Sequence, residues 1–208
     1  MSSNEQNLDA IREIRQMMDR SSRFISLSGW SGVLAGICAL VGAWLARQKI
    51  QSYNQLGQSS PQACPTCLRN DLLVIAIVVF VVAFTGAILF TYLKSRGDGI
   101  AIWGSSARRL LWNTLLPMAA GAFLIGRMIE LSQYELVASA SLVFYGLALV
   151  NGSKFTLGEV RFLGYAILVT GIASLWSIGY GLYFWAFGFG VLHIVYGISM
   201  WLKYDRKP

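Results

Sequence analysis

Six stretches of this chain are apolar almost without interruption, and short polar segments separate them. They cover residues 24–46, 72–93, 110–131, 136–150, 157–176 and 182–202. The first runs 23 residues without a charge. At 1.5 Å per residue such a helix is roughly 34 Å long, enough for a hydrocarbon core of roughly 30 Å. A soluble core helix seldom needs that length. The runs are continuous rather than alternating, which argues against a β-barrel. In lipid only helices and closed barrels satisfy their own backbone. The pattern therefore predicts an all-α fold: a polytopic membrane protein with a bundle of six transmembrane helices over residues 24–202.

Residues 1–23 follow a different rhythm. Leu8, Ile11, Ile14 and Met18 recur at helical spacing, with Arg12, Glu13, Gln16, Asp19 and Arg20 on the other faces. This predicts an amphipathic helix, lying on the inner membrane surface or capping the bundle. A docking helix for a cytoplasmic partner or for a second copy is the sharper alternative. Residues 203–208 form a short basic tail. A cleaved signal peptide does not fit, because the polar leader and the apolar run are both too long for one.

Small residues pattern the first span. Gly29, Gly32, Gly36, Ala39 and Ala43 alternate at spacings of three and four, a stripe on which another helix backbone packs closely. Gly190, His193 and Gly197 share a similar stripe in span six. Pro117 in span three removes the hydrogen bond to the Asn113 carbonyl and predicts a kink, with Asn113 and Thr114 near enough to compensate. Thr156 followed by Glu159 is a capping-box pattern that places the start of span five near Leu157. The segment 47–70 reads as a loop, because Gly57, Pro61 and Pro65 punctuate it. Asp98-Gly99 predicts a turn between spans two and three.

Charge then orients the bundle. Of the 17 Lys and Arg residues, thirteen fall in the segments that a cytoplasmic N-terminus places inside, and four fall outside. This is the positive-inside asymmetry of a bacterial inner (plasma) membrane protein with both termini cytoplasmic. Trp44, Trp176 and Trp185 mark the outer interface, and Trp30, Trp112 and Trp201 the inner one. The net charge of +7 is thereby read as topology and lipid-headgroup contact, not as a nucleic-acid patch.

Few residues carry chemistry. His193, the only histidine, falls near the middle of span six, where an ionisable group is a functional candidate. The bland reading is a neutral ring bonded to a Ser, a Tyr or a backbone carbonyl. Arg127 and Glu130 lie one turn apart at the outer end of span three, as a snorkelling ion pair or a polar site. Cys64-Pro65-Thr66-Cys67 stands in the loop that the topology places outside, where disulfides persist. A loop-stapling disulfide, incidental thiols, redox chemistry and a metal site completed by a dimer are all open for it. No cofactor motif, intramembrane aspartate pair or Ser–His nucleophile arrangement is present, so neither an enzyme nor a cofactor is expected.

Two resemblances add context. Cys64-Pro65-Thr66-Cys67, set before the second span, resembles the first cysteine pair of quinone-linked membrane disulfide oxidoreductases. That family also uses a second pair, and the only other cysteine here is Cys38. Residues 22–36, with Arg23-Phe24-Ile25-Ser26-Leu27-Ser28-Gly29, and the run Leu192-His193-Ile194-Val195-Tyr196-Gly197 resemble uncharacterised small integral membrane proteins of bacteria, a resemblance that implies no activity. Three functional expectations remain. The first is a non-catalytic protein acting by self-association or as an accessory or sensing partner. The second is a small-solute or ion transporter lined by His193, and the third a thiol oxidoreductase at Cys64 and Cys67.

Overall fold

In the computed structural model, residues 28–56, 64–97 and 103–205 are described. The predicted amphipathic helix over 1–23, the start of span one, Gly57, Pro61, the Asp98-Gly99 turn and residues 206–208 lie outside them. Every regular element among the described residues is helical. They are α1 (Gly29–Leu56), α2 (Pro65–Gly97), α3 (Ser105–Glu130), α4 (Val137–Gly152) and α5 (Glu159–Leu175), with 3₁₀ turns at Tyr134–Leu136 and Ser153–Phe155 flanking α4. Then come α6 (Gly181–Trp185), a π segment (Ala186–Val191), α7 (Leu192–Met200) and a second π segment (Trp201–Asp205). These last four form one rod, the last helix. Five helices are long and apolar enough to cross a membrane: α1, α2, α3, Tyr134–Phe155 and Gly181–Tyr204. The 17-residue α5 is the short one.

Consecutive helices other than α2 and α3 pack antiparallel, as their side-chain pairings show. Lys49 at the end of α1 meets Asp71 at the start of α2, N···O 2.9 Å. Asn113 near the start of α3 meets Asn151 near the end of α4. Ser139 and Ser174, from opposite ends of α4 and α5, share a buried hydrogen bond of 2.9 Å. Glu159 at the start of α5 meets Lys203 and Tyr204 at the end of the last helix. Trp30 and Trp201 stack edge-on, with centroids 6.1 Å apart, where α1 begins and the last helix ends.

The core lies where α4, α5 and the last helix converge. Leu142 and Ile167 are fully buried, and Tyr145, Phe184, Phe189 and Leu192 pack around them. On the other side of the last helix, α1 approaches backbone to backbone. A Cβ added at Gly29 would sit 2.5 Å from the Gly197 carbonyl oxygen, and one at Gly36 would sit 2.6 Å from that of Gly190. Only glycine permits that approach. The stripe Gly29, Gly32, Gly36 thus finds its partner inside the chain.

Three sequence expectations are modified. The polar segment 47–70 is mostly helical: α1 runs on to Leu56, and α2 begins at Pro65, leaving a short connection. Apolar runs mark the length of a hydrocarbon layer, whereas helix propensity continues through Gln48, Gln51 and Asn54. The capping box does not form. Gly158 is the N-cap of α5 and has no side chain to offer, the Thr156 amide donates to the Ser153 carbonyl, and the Glu159 carboxylate is taken by Lys203 and Tyr204. Finally, α3 is continuous across Pro117, and the carbonyl freed there finds a partner other than the two expected. Its orphaned Asn113 carbonyl accepts a 2.8 Å hydrogen bond from Asn151 Nδ2 of α4. Asn113 and Thr114 bond instead to the carbonyls of Arg109 and Leu110.

Candidate functional site

His193 sits in α7, two residues after the π segment Ala186–Val191. Single π turns inside α-helices are frequent at functional sites, since the widened turn redirects backbone carbonyls. Here the Gly188 carbonyl, five residues back, lies 3.1 Å from His193 Nδ1. A carbonyl only accepts, so Nδ1 carries the hydrogen. The ring is 6 % exposed and has no carboxylate among its partners, so it is held neutral. Its Nε2 is then the acceptor, and Tyr145 of α4 donates its hydroxyl hydrogen to it across 2.9 Å. Both nitrogens are satisfied, one by the helix itself and one by its neighbour.

Aromatic rings extend this pair. Tyr145 lies 4.9 Å from Phe189 and 5.5 Å from His193 between centroids, and Trp185 lies 5.0 Å from Phe189. Trp185, Phe189 and His193 recur every four residues, so they form one face of the last helix. That face is a wall of a cavity of about 490 Å³. Small side chains make its room: Ala35 and Ala39 of α1, Ala76, Ala83 and Ala87 of α2, and Ala122 of α3. Among the described residues, no Lys, Arg, Asp or Glu lines it. Ser141, also on the wall, donates to the carbonyl of Ala138 in its own helix.

The cavity is bounded unevenly. α1 packs closely on α2, and α3 on α4, but α2 and α3 barely touch among the described residues. Both contribute lining residues, so the cavity lies between two helices that scarcely meet among the described residues. Of all the residues of α2, only Ser95 is buried.

The remaining candidates lie elsewhere. Arg127 and Glu130 pair at 2.8 Å with both side chains well exposed, and neither lines the cavity. Cys64 and Cys67 are joined in a disulfide with Cα atoms 5.2 Å apart. The bond closes inside the first turn of α2 rather than across the preceding loop, so it staples the helix start and not the loop. The Cys67 amide donates to Cys64 Sγ at 3.1 Å. Cys38 is a free thiol in α1. No group of three or more metal-ligating side chains occurs among the described residues. Gly190 faces Leu40, Gly197 faces Gly29 and Val33, and Ala43 is buried, so these stripe residues serve packing within the chain.

Sequence reasoning singled out His193 but not Tyr145, its partner 48 residues away. The chain matches no protein-family model, no curated protein and no solved structure.

Proposed function

We propose that this chain is a non-catalytic integral protein of a bacterial plasma membrane, with six crossings. In this reading it acts as an accessory or sensing protein that holds an apolar molecule of the bilayer. The observation that carries this reading is the uncharged cavity, lying between α2 and α3 and reaching the Tyr145–His193 pair. Its volume of about 490 Å³ falls within the range of roughly 300–1,000 Å³ for small-molecule sites. A site open toward lipid and without charge suits a ligand that arrives through the bilayer.

The sixth crossing in this reading is α5. Seventeen residues span roughly 26 Å, the short end of what a bilayer accepts. Its antiparallel pairing with α4 and the last helix supports a full traverse. The two ends of the bundle support the orientation. Lys94, Arg96, Arg108, Arg109, Lys154 and Lys203 belong to the segments read as cytoplasmic, and Arg47, Lys49 and Asp71 to the opposite end.

Self-association has less support than ligand sensing, because the glycine stripes that suggested it are occupied within the chain. Passage of polar solutes past His193 has little, because the cavity around the ring is apolar. A second reading, thiol redox chemistry, draws on the disulfide at the start of α2. A reduced Cys64 would accept the Cys67 amide hydrogen bond at a helix N-terminus, an arrangement that favours the thiolate.

Trp185 provides the test of the first reading, since it lines the cavity. In lipid nanodiscs a brominated alkane should quench part of the intrinsic fluorescence, and Trp185→Phe should remove that part. Quenching that is identical in the two proteins overturns the ligand reading. The topology is checked separately. After mild reduction, an impermeant thiol reagent should reach Cys64 and Cys67 in intact spheroplasts, and labelling only after lysis sinks the orientation.

A further inference from the structure

We infer that the ligand of the cavity is an uncharged, single-chain lipophile with a hydroxyl head that donates its hydrogen to the Tyr145 oxygen. This rests on the ligand reading above and specifies its chemistry. Three observations converge on it.

The first is charge. With no Lys, Arg, Asp or Glu on the wall among the described residues, a phosphate, carboxylate or ammonium head would be buried without a counter-ion. Phospholipids and fatty acids are excluded as occupants of the polar end. The second is size. A volume of about 490 Å³ at about 30 Å³ per water-sized group accommodates roughly sixteen non-hydrogen atoms, one chain rather than two. A longer tail leaves through the gap between α2 and α3.

The third observation fixes the direction of the hydrogen bond. The Gly188 carbonyl holds the hydrogen on Nδ1, so Nε2 must accept and the Tyr145 hydroxyl must donate to it. The phenol has then spent its only hydrogen and retains acceptor capacity alone. A donor head, an alcohol, completes the chain of hydrogen bonds from ligand to Tyr145 to His193 to Gly188. A ketone, ether or quinone oxygen has no hydrogen to give. To be bound it would have to take the phenol hydrogen from His193, leaving Nε2 unsatisfied in an apolar wall. Trp185 offers an indole N–H, but it lies eight residues from His193, roughly 12 Å along the helix. It cannot serve the same head.

The experiment uses the whole chain in nanodiscs and Trp185-dependent quenching by four brominated probes of equal chain length: an alcohol, its methyl ether, a carboxylate and an alkane. The alcohol should bind roughly three- to tenfold more tightly than the ether, the span of one net hydrogen bond. In Tyr145→Phe that advantage should vanish while alkane binding persists. Equal affinity of alcohol and ether, or tighter binding of the carboxylate, overturns the inference and leaves the cavity reading standing. Failure of every probe to quench Trp185 removes the cavity reading itself. Should Tyr145→Phe fold poorly, the comparison of alcohol with ether in the unaltered protein still decides. Unlabelled straight-chain and isoprenoid alcohols then compete against the brominated one. Displacement at the lower concentration identifies the source of the head, and displacement by neither counts against a hydroxyl ligand.

Discussion

The two flanks of this bundle are built by opposite rules. Between α1 and the last helix, glycine meets glycine, and the backbones lie so close that no Cβ fits. Between α2 and α3 there is almost no contact among the described residues. In the most apolar stretch of α1, 44 % of the residues are buried, against 0 % for α2 and 6 % for α3. The difference follows from side-chain size. α2 hangs on α1 through two insertions, Val79 over Gly42 and Leu34 over Gly86, with the Lys49–Asp71 pair at its end. Most of its other Val, Ile and Phe side chains are exposed, which suits lipid contact. Lipid tails are as apolar as Leu, so bulky aliphatic faces gain little by meeting each other in a bilayer, whereas small residues gain contact area. A chain can thus hold one flank rigid and leave the other ajar by its choice of glycine or valine. The cavity is where the ajar flank fails to close.

The sharpest way to break this contrast is to put a methyl group into the tight flank. The Cβ of Gly197→Ala would lie 2.6 Å from both the Gly29 carbonyl oxygen and the Val33 nitrogen. These are backbone atoms and cannot rotate away, so α1 and the last helix must separate. We expect a loss of about 3 kcal/mol or more, the upper part of the overpacking range. Equilibrium unfolding in mixed detergent micelles measures it. A change under 1 kcal/mol would show that the flank is not tight.

A smaller effect is expected at the far side of α3, where it packs on α4 and Asn151 bonds to Asn113. Asn151→Ala leaves the Asn113 carbonyl without the partner that Pro117 already denies it along the helix. We expect a loss of about 1–3 kcal/mol, the penalty for leaving a part-buried acceptor unsatisfied. Pro117→Ala restores a backbone N–H at that position. In its background, Asn151→Ala should be nearly neutral, and the double-mutant cycle reads the coupling directly. Additivity of the two changes would refute the assignment.

Much of the tight flank was legible beforehand. The length of the apolar runs gave the helices, and the spacing of Gly29, Gly32 and Gly36 gave a packing face. What periodicity does not carry is the identity of partners. Nothing in the sequence around Asn151 says that it serves a proline 34 residues earlier, and nothing around Tyr145 says that it meets His193. Both pairings cross between helices whose relative rotation is set by the packing of all of them. Thr156 and Glu159 illustrate the converse. The local signal for a cap was present, but the chain brought Lys203 and Tyr204 within reach, and a charged partner displaced the backbone. The gap between α2 and α3 was invisible because it is a missing contact, and missing contacts leave no spacing to read.

Gly126 sharpens the contrast from the other side. It lies in α3, and apart from its own helix turn no described residue comes within 4 Å of where its Cβ would be. Gly126→Ala relieves the helix of glycine's backbone entropy without a clash. It should stabilise by about 0.5–1 kcal/mol in the same unfolding measurement. The same methyl group thus changes sign between the two flanks. Destabilisation at Gly126 would mean that α3 is covered by something, for instance a second copy.

The smallest effect belongs to the ion pair at the joint of the open flank. Lys49 and Asp71 meet at 2.9 Å with side chains 54 % and 49 % exposed. An exposed pair gains little over solvated ions and loses side-chain entropy, so Lys49→Ala should change stability by less than about 1 kcal/mol. What effect remains should fade as salt is raised, because the charges are screened within about 8 Å at physiological ionic strength. The pair nonetheless sits where α1 and α2 turn back on each other, so its loss bears on how far α2 stands from α3. If it holds the flank ajar, Lys49→Ala should alter Trp185 quenching by the brominated alkane while leaving the unfolding midpoint in place. If α2 is positioned by Val79 and Leu34 alone, quenching will be unchanged, and the gap must be assigned to the packing of those two side chains.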